Sequence, residues 1–222
     1  MASDDDKLFR DIHRFLLTQA RQGEKMDTET MLADRFQVSR YRIRRVLDQL
    51  SQMGVVDRAQ KRGLSLSQVT PDFLARNICS QISVSNFDIH EFLEALASIE
   101  NEVVKLAVMR ITPVALGQLT TTLNQFERCL EVHEAALKMH TTFHRQLCEA
   151  CGSRILLSYA LASLEHWHRL LEECDTLNAA FFTSALETDR DLLDAIQADD
   201  VSGAQNIIDQ QLRDELAYLI KH

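Results

Sequence analysis

His140 and His144 are spaced i, i+4, so on a helix both imidazoles project from one face toward a single ion. The alternative at this point is a polar pocket in which hydrogen-bonded histidines hold no metal. Cys148 and Cys151 form a Cys-x-x-Cys one turn further along. Thiolate–metal or redox chemistry would suit such a pair, although on a helix its ordinary use is as two small buried side chains. His166 and His168 flank Trp167. Residues two apart face different sides of a helix, so at most one of these histidines is expected to line a cavity. A second constellation lies near the other end of the chain. Arg40, Arg42, Arg44 and Arg45 place four guanidinium groups within six residues, suited to phosphates and base edges. No nucleophile motif, phosphate-cradling loop or nucleotide fingerprint occurs. With six glycines in 222 residues there is little material for such loops, and an enzyme is not expected.

The arginines need an element that holds them outward. From Ser39, a plausible N-cap, Ile43, Val46, Leu47 and Leu50 recur at i, i+3, i+4 and i+7, a stripe for burial that leaves Arg40, Arg44 and Arg45 mostly off it. A preceding helix, capped by Asp27 or Thr28, should end near Arg35, with Phe36 to Val38 as the turn. A first helix is expected over about Lys7–Arg21, with Leu8, Ile12, Phe15 and Leu16 on one face. After Gly54, Val55-Val56 and Leu64–Leu66 read as short strands joined by Arg58-Ala-Gln-Lys-Arg-Gly63, a hairpin whose basic tip could lay Lys61 and Arg62 on a duplex. This is a winged helix-turn-helix pattern. A solvated arginine face and a purely structural β-turn are the plainer readings of the two pieces.

Charge separates the chain into unlike parts. Residues 1–70 carry 13 Lys and Arg against 10 Asp and Glu, and residues 71–222 carry 11 against 23. Between Arg35 and Arg62 there are eight basic residues against Asp48 and Asp57, a local patch that can steer toward phosphates whatever the sign of the whole. Pro71 marks the boundary, and Pro113 is the only other proline. Helices are expected at about 72–84, 88–110, 114–148 with an interruption near Glu131, 154–173, 178–198 and 200–220. The fold class is therefore mainly α: residues 1–70 form a winged helix-turn-helix domain, and residues 71–222 an all-helical bundle. Five cysteines spread over a long chain do not make a disulfide framework, no apolar run is long enough for a bilayer, and the N-terminus is polar and acidic. A cytoplasmic location with no membrane partner is the expectation.

Leu32-Ala33, Phe36, Val38-Ser39-Arg40, Ile43-Arg44, Leu47, Gly54 and the wing glycine Gly63 resemble the DNA-binding domain of the GntR family of bacterial transcription regulators. Phe143-His144 followed by Ala150-Cys-Gly152, and Asp191-Leu-Leu-Asp-Ala-Ile196 followed by Asp200 and Ala204, resemble the all-helical ligand-binding domain of its fatty-acid-regulator-like subfamily. The resemblance implies a homodimer on a near-palindromic, double-stranded DNA operator. Its contacts would be Ser39, Arg40, Tyr41 and Arg44 on bases or phosphates, Arg42 and Arg45 on phosphates, and Lys61, Arg62 and Gly63 at the wing. It also implies an unidentified small-molecule effector. The subfamily's metal site maps onto His140, His144, Asp189 and Gln211, so zinc, manganese or nickel is the implied cofactor. Here histidine stands at the first position, where the subfamily has Asp, and Asp189 and Gln211 stand where it has two later histidines. The subfamily's effector-holding arginine is replaced by Leu96 in Leu96-Ala-Ser-Ile-Glu100, which weakens the case for an organic acid effector. Two other classes stay open: a helical protein-interaction adaptor, and a metal or redox sensor on the same fold.

Overall fold

The computed structural model describes residues 4–59, 63–67, 70–85, 87–174 and 177–221. It divides into two compact units, Met1–Val69 and Thr70–His222.

In the first unit, α1 spans Asp4–Arg21, α2 Glu29–Phe36 and α3 Arg40–Gln52, followed by β1 Val56–Ala59 and β2 Gly63–Leu66. Thr28, not Asp27, caps α2, accepting from the Met31 N–H. Asp27 is instead buried. It accepts from Gln19 Nε2 at 2.8 Å and Arg35 Nε at 3.2 Å, tying the end of α1 to α2. The turn is shorter than expected. Phe36 still belongs to α2, and Gln37 alone takes the left-handed conformation (φ 52°) that stops the helix. Ser39 then caps α3, its Oγ accepting from the Arg42 N–H at 3.3 Å. The stripe predicted for α3 is the buried one: Ile43, Val46, Leu47 and Leu50 join Leu8, Ile12, Leu16, Leu32, Ala33 and Val56 in one core. Each such side chain contributes about 1.5–3 kcal/mol on burial, which fixes the rotation of α3 about its axis. Gly54 (φ 68°) ends the segment, a conformation that costs glycine little. β1 begins at Val56 rather than Val55 and pairs antiparallel with β2, Val56 opposite Leu66 and Ala59 opposite Gly63.

Among the described residues the second unit is seven helices: α4 Pro71–Val84, α5 Ile89–Arg110, α6 Pro113–Glu127, α7 His133–Ala150, α8 Arg154–Glu172, α9 Ala179–Gln197 and α10 Val201–Lys221. The interruption expected near Glu131 is the gap between α6 and α7. Thr70, Asp88, Thr112, Ser153 and Asn178 each cap a helix by accepting a backbone N–H, worth about 1 kcal/mol apiece. α4 packs on α8, α6 on α7, and α10 on α5 and α9, while α5, α7 and α8 meet at the centre. Trp167, Phe126, Phe143 and Phe182 are the largest fully buried side chains of this core. No helix among the described residues is long and apolar enough to cross a membrane.

Candidate functional site

The buried stripe of α3 dictates what its other faces show. Ser39, Arg40, Tyr41, Arg44 and Arg45 are exposed, Tyr41 at 70 %. Arg42 is partly covered, because its guanidinium donates to Asp4 at 2.8 Å and to Asp5 at 2.6 and 3.1 Å. Those charges raise its already high pKa further. Arg45 lies 3.8 Å from Asp5, and Arg44 donates to Glu29 at the start of α2 at 3.0 Å. All are surface pairs that phosphates can replace at small cost. Gly63 opens β2. The other wing positions, Lys61 and Arg62, lie outside the described residues.

In the helical unit five helices converge on one buried cluster. α7 supplies His140 and His144, α9 Asp189, α10 Gln211 and Glu215, α8 Trp167 and His168, and α5 Leu96 and Glu100. Asp189 is fully buried; its Oδ2 accepts from His140 Nδ1 at 3.0 Å, and its Oδ1 lies 3.2 Å from His144 Nε2. Gln211 Nε2 donates to Asp189 Oδ1 at 3.1 Å and lies 3.2 Å from His144 Nε2. The other nitrogen of His140 meets Glu215 Oε1 at 3.2 Å, and Glu215 Oε2 accepts from Trp167 Nε1 at 2.5 Å. Burial alone would pull the His140 imidazole down, but the Asp189 charge and hydrogen bond, with the Glu215 contacts, outweigh it and push the pKa up. Burial would raise Asp189; the His140 and His144 charges and hydrogen bonds hold it below the usual carboxylate range. His168, buried with His140 and His144 nearby, is driven well down. Ligand atoms of His140, His144 and Asp189 lie within 4.8 Å of one another. All four residues expected at a metal site are therefore together.

The match to known proteins divides in the same two places. The model of the gntR family of bacterial regulatory proteins matches residues 6–66, and that of the FCD domain matches residues 91–214, more than half of the chain. The chain belongs to the GntR family. The FCD domain is the effector domain of the fatty-acid-regulator-like subfamily. A curated relative, the HTH-type transcriptional regulator LutR of Bacillus subtilis, is 26 % identical over 138 residues, 62 % of this chain and 63 % of its own length. Among solved structures, a GntR protein of Streptococcus agalactiae superposes with a TM-score of 0.58 at 18 % identity, covering 95 % of this chain and 98 % of the other. E. coli McbR/YncC superposes at 0.53 and 18 %, covering 100 % and 99 %. At that identity the two structures speak for the fold. Family and relative are regulators, not enzymes.

Three residues of this GntR-family site went unrecognised in the sequence. Glu215, Glu100 and Trp167 complete the cluster, and the first two had a legible signal. Gln211 and Glu215 sit on the same α10 face as Ala204, Ile208 and Leu212, and Glu100 interrupts the stripe of Leu96, Val103, Val104 and Ala107 on α5. A carboxyl on a buried stripe needs a reason. The two tryptophan-flanking histidines border different hollows. The count needs correcting, however, since each borders a hollow: His168 the buried cluster, and His166 a separate groove with Ile82 and Phe87. Cys148 and Cys151 are buried free thiols, and burial pushes Cys148 well up, opposite to what thiolate chemistry requires.

The acidic clamp on Arg42 leads to a measurable expectation. Asp4 and Asp5 suit the N-terminus of α1 electrostatically but oppose phosphates drawn to Arg42 and Arg45. The double substitution Asp4→Asn, Asp5→Asn should tighten binding to random duplex DNA by roughly 2–5-fold, given surface pairs worth about 0.2–1 kcal/mol. Fluorescence anisotropy at fixed salt checks this; weaker binding would mean that the acids organise Arg42 rather than compete for it.

Proposed function

We propose that this GntR-family regulator works in the cytoplasm as a homodimer on a near-palindromic operator, and that a small-molecule effector in the helical unit sets its affinity. The observation that carries the reading is the exposed arginine face of α3, held outward by the buried Ile43, Val46, Leu47 and Leu50. Ser39, Arg40, Tyr41 and Arg44 are the proposed base or phosphate contacts. Arg42, Arg45 and the wing residues Lys61, Arg62 and Gly63 are the proposed backbone contacts. A two-fold operator matches a two-fold protein. An effector that binds two arrangements of the dimer unequally changes operator affinity by linkage. Selection from a random duplex pool tests this: two inverted half-sites are expected, and enrichment of a single asymmetric site, or of none, would overturn the dimer or the DNA reading respectively.

The donor set also fits a divalent cation. Asp189 oxygens 3.0 and 3.2 Å from the two imidazoles have the spacing of ligands placed about 2.0–2.2 Å from one ion. His140, His144 and Asp189 would be the ligands, with the Gln211 amide oxygen a weaker fourth. Bound there, zinc, manganese or nickel would supply a fixed positive charge and a link between α7 and α9. His140 would release its proton on binding, so occupancy should fall at acid pH. Elemental analysis of protein purified without chelator should show about one equivalent per chain, and less in His144→Ala. A metal-free wild type whose operator affinity ignores added zinc, manganese and nickel would end the metal reading.

A further inference from the structure

The outer face of α1 is basic and unpaired. The helix buries Leu8, Ile12, Leu16 and Gln19. At 3.6 residues per turn, Arg10, Arg14 and Arg21 fall within about 40° of one another, on the side opposite that stripe. Arg10, Arg14, Thr18 and Arg21 are exposed, and with His13 and Leu17 they line one open groove. Residues 7–25 hold Lys7, Arg10, Arg14, Arg21 and Lys25 against Asp11 and Glu24, in a chain of net charge −9. Elsewhere in this unit Arg35, Arg42, Arg44 and Arg45 each meet a carboxylate. Arg10, Arg14 and Arg21 form no ion pair among the described residues. Arg10 and Arg14, four apart, repel one another, a small cost to the helix that no ion pair offsets. Fixed charges arranged in this way attract a polyanion.

We infer that this face is a second duplex-binding surface. Its arginines take the phosphates of a DNA segment other than the one on α3, so that one head bridges two duplexes. A guanidinium is a planar fork of donors that matches phosphate oxygens. Contacts of this kind hold the backbone and read no sequence, so the second segment needs no operator. It is a separate segment because the buried stripes of α1 and α3 pack in one core. Their outer faces therefore look away from that core on different sides. A duplex with a persistence length of about 50 nm does not turn round so small a head. Bridging goes beyond operator binding, and it adds a role for α1 to the one proposed for α3.

The test is binding of a fluorescent random-sequence duplex to the full chain, read by anisotropy. With α3 disarmed by Arg40→Ala, Arg44→Ala and Arg45→Ala, binding should persist at lower affinity. Adding Arg10→Gln, Arg14→Gln and Arg21→Gln should weaken it by roughly tenfold more, as expected for lost phosphate contacts. Glutamine keeps helix propensity and the three positions are exposed, so the variant should fold. The same change of charge at the exposed Arg76, Arg128 and Lys138 should leave binding unchanged. On beads carrying the duplex that the wild type selects, bound wild type should capture the random duplex and the α1 variant should not. Capture should disappear between about 50 and 200 mM salt. No further loss on adding the α1 substitutions, an equal loss in the control variant, or equal capture by the α1 variant would each overturn the inference. A comparable fall in operator affinity in the α1 variant would put these arginines on the same duplex and overturn the bridging. Poly-L-glutamate competing better than duplex of equal charge would give the face to an acidic protein and overturn it too. Failure of the α3 reading looks different: the α3 substitutions leave binding of the selected duplex unchanged, while the α1 substitutions still release the random one.

Discussion

Replacing Asp189 by Asn should destabilise the metal-free helical unit by about 3–5 kcal/mol, the range for breaking a buried ion pair by removing one partner. The carboxylate accepts from His140, and His144 and Gln211 also face it, all inside the core. An amide offers one oxygen and sets an NH2 against a remaining N–H, while the His140 charge keeps only Glu215. For a unit of this size that corresponds to a melting temperature lower by on the order of 10 °C. The gap should depend on pH. The His140 pKa is raised above its ordinary 6.5, so its share is fully present below pH 6.5 and is lost as pH rises toward the folded value. The Asp189 pKa is lowered from 3.8, so its share is present above about pH 4 and is lost as pH falls toward the folded value. Wild type and variant should therefore differ most between about pH 4 and 6.5, and the gap should narrow as pH rises toward about 10, where His140 loses its proton. Calorimetric melts of chelated protein across that range check both statements; equal melting temperatures at pH 6 would show that the cluster holds no such pair.

Arg44→Ala should cost about 1–3 kcal/mol on the duplex that the wild type selects, a loss of roughly 5–150-fold, with relaxed preference at one position of each half-site. Arg44 stands 57 % exposed, one residue beyond the buried Ile43. Its only partner among the described residues is Glu29 at 3.0 Å. A surface pair of that kind is worth too little to hold it back from a guanine edge or a phosphate. The variant loses no core contact, so its melting temperature should stay within a degree or two. Unchanged affinity would remove Arg44 from the interface, and a uniform loss on all sequences would make it a phosphate contact.

What could be read from the chain beforehand was what depends on neighbours three or four residues away. The α3 stripe, the cap at Ser39 and the stop at Gly54 follow from local spacing and from residue types with strong backbone preferences. The left-handed stop at Gln37 was not legible, since no glycine or asparagine announces it. The gap between α6 and α7 contains neither proline nor glycine, and Val132 gives α7 no side-chain cap, so the interruption expected near Glu131 rested on the length of the segment. The metal-site expectation found His140, His144, Asp189 and Gln211 by resemblance. Glu215 and Glu100 acquire their meaning only when α5, α7, α9 and α10 meet, with His140 and Glu215 75 residues apart in sequence. The clamp of Asp4 and Asp5 on Arg42 spans 38 and 37 residues and was equally hidden.

The central claim, that α3 presents its arginines to the phosphates of a duplex, is tested most directly by the salt dependence of DNA binding. The logarithm of the affinity should fall linearly with the logarithm of salt concentration, with a slope of about −0.9 for each phosphate contact. Arg42→Ala and Arg45→Ala should each reduce that slope by about one. Binding that is indifferent to salt, or a slope unchanged in both variants, would contradict it.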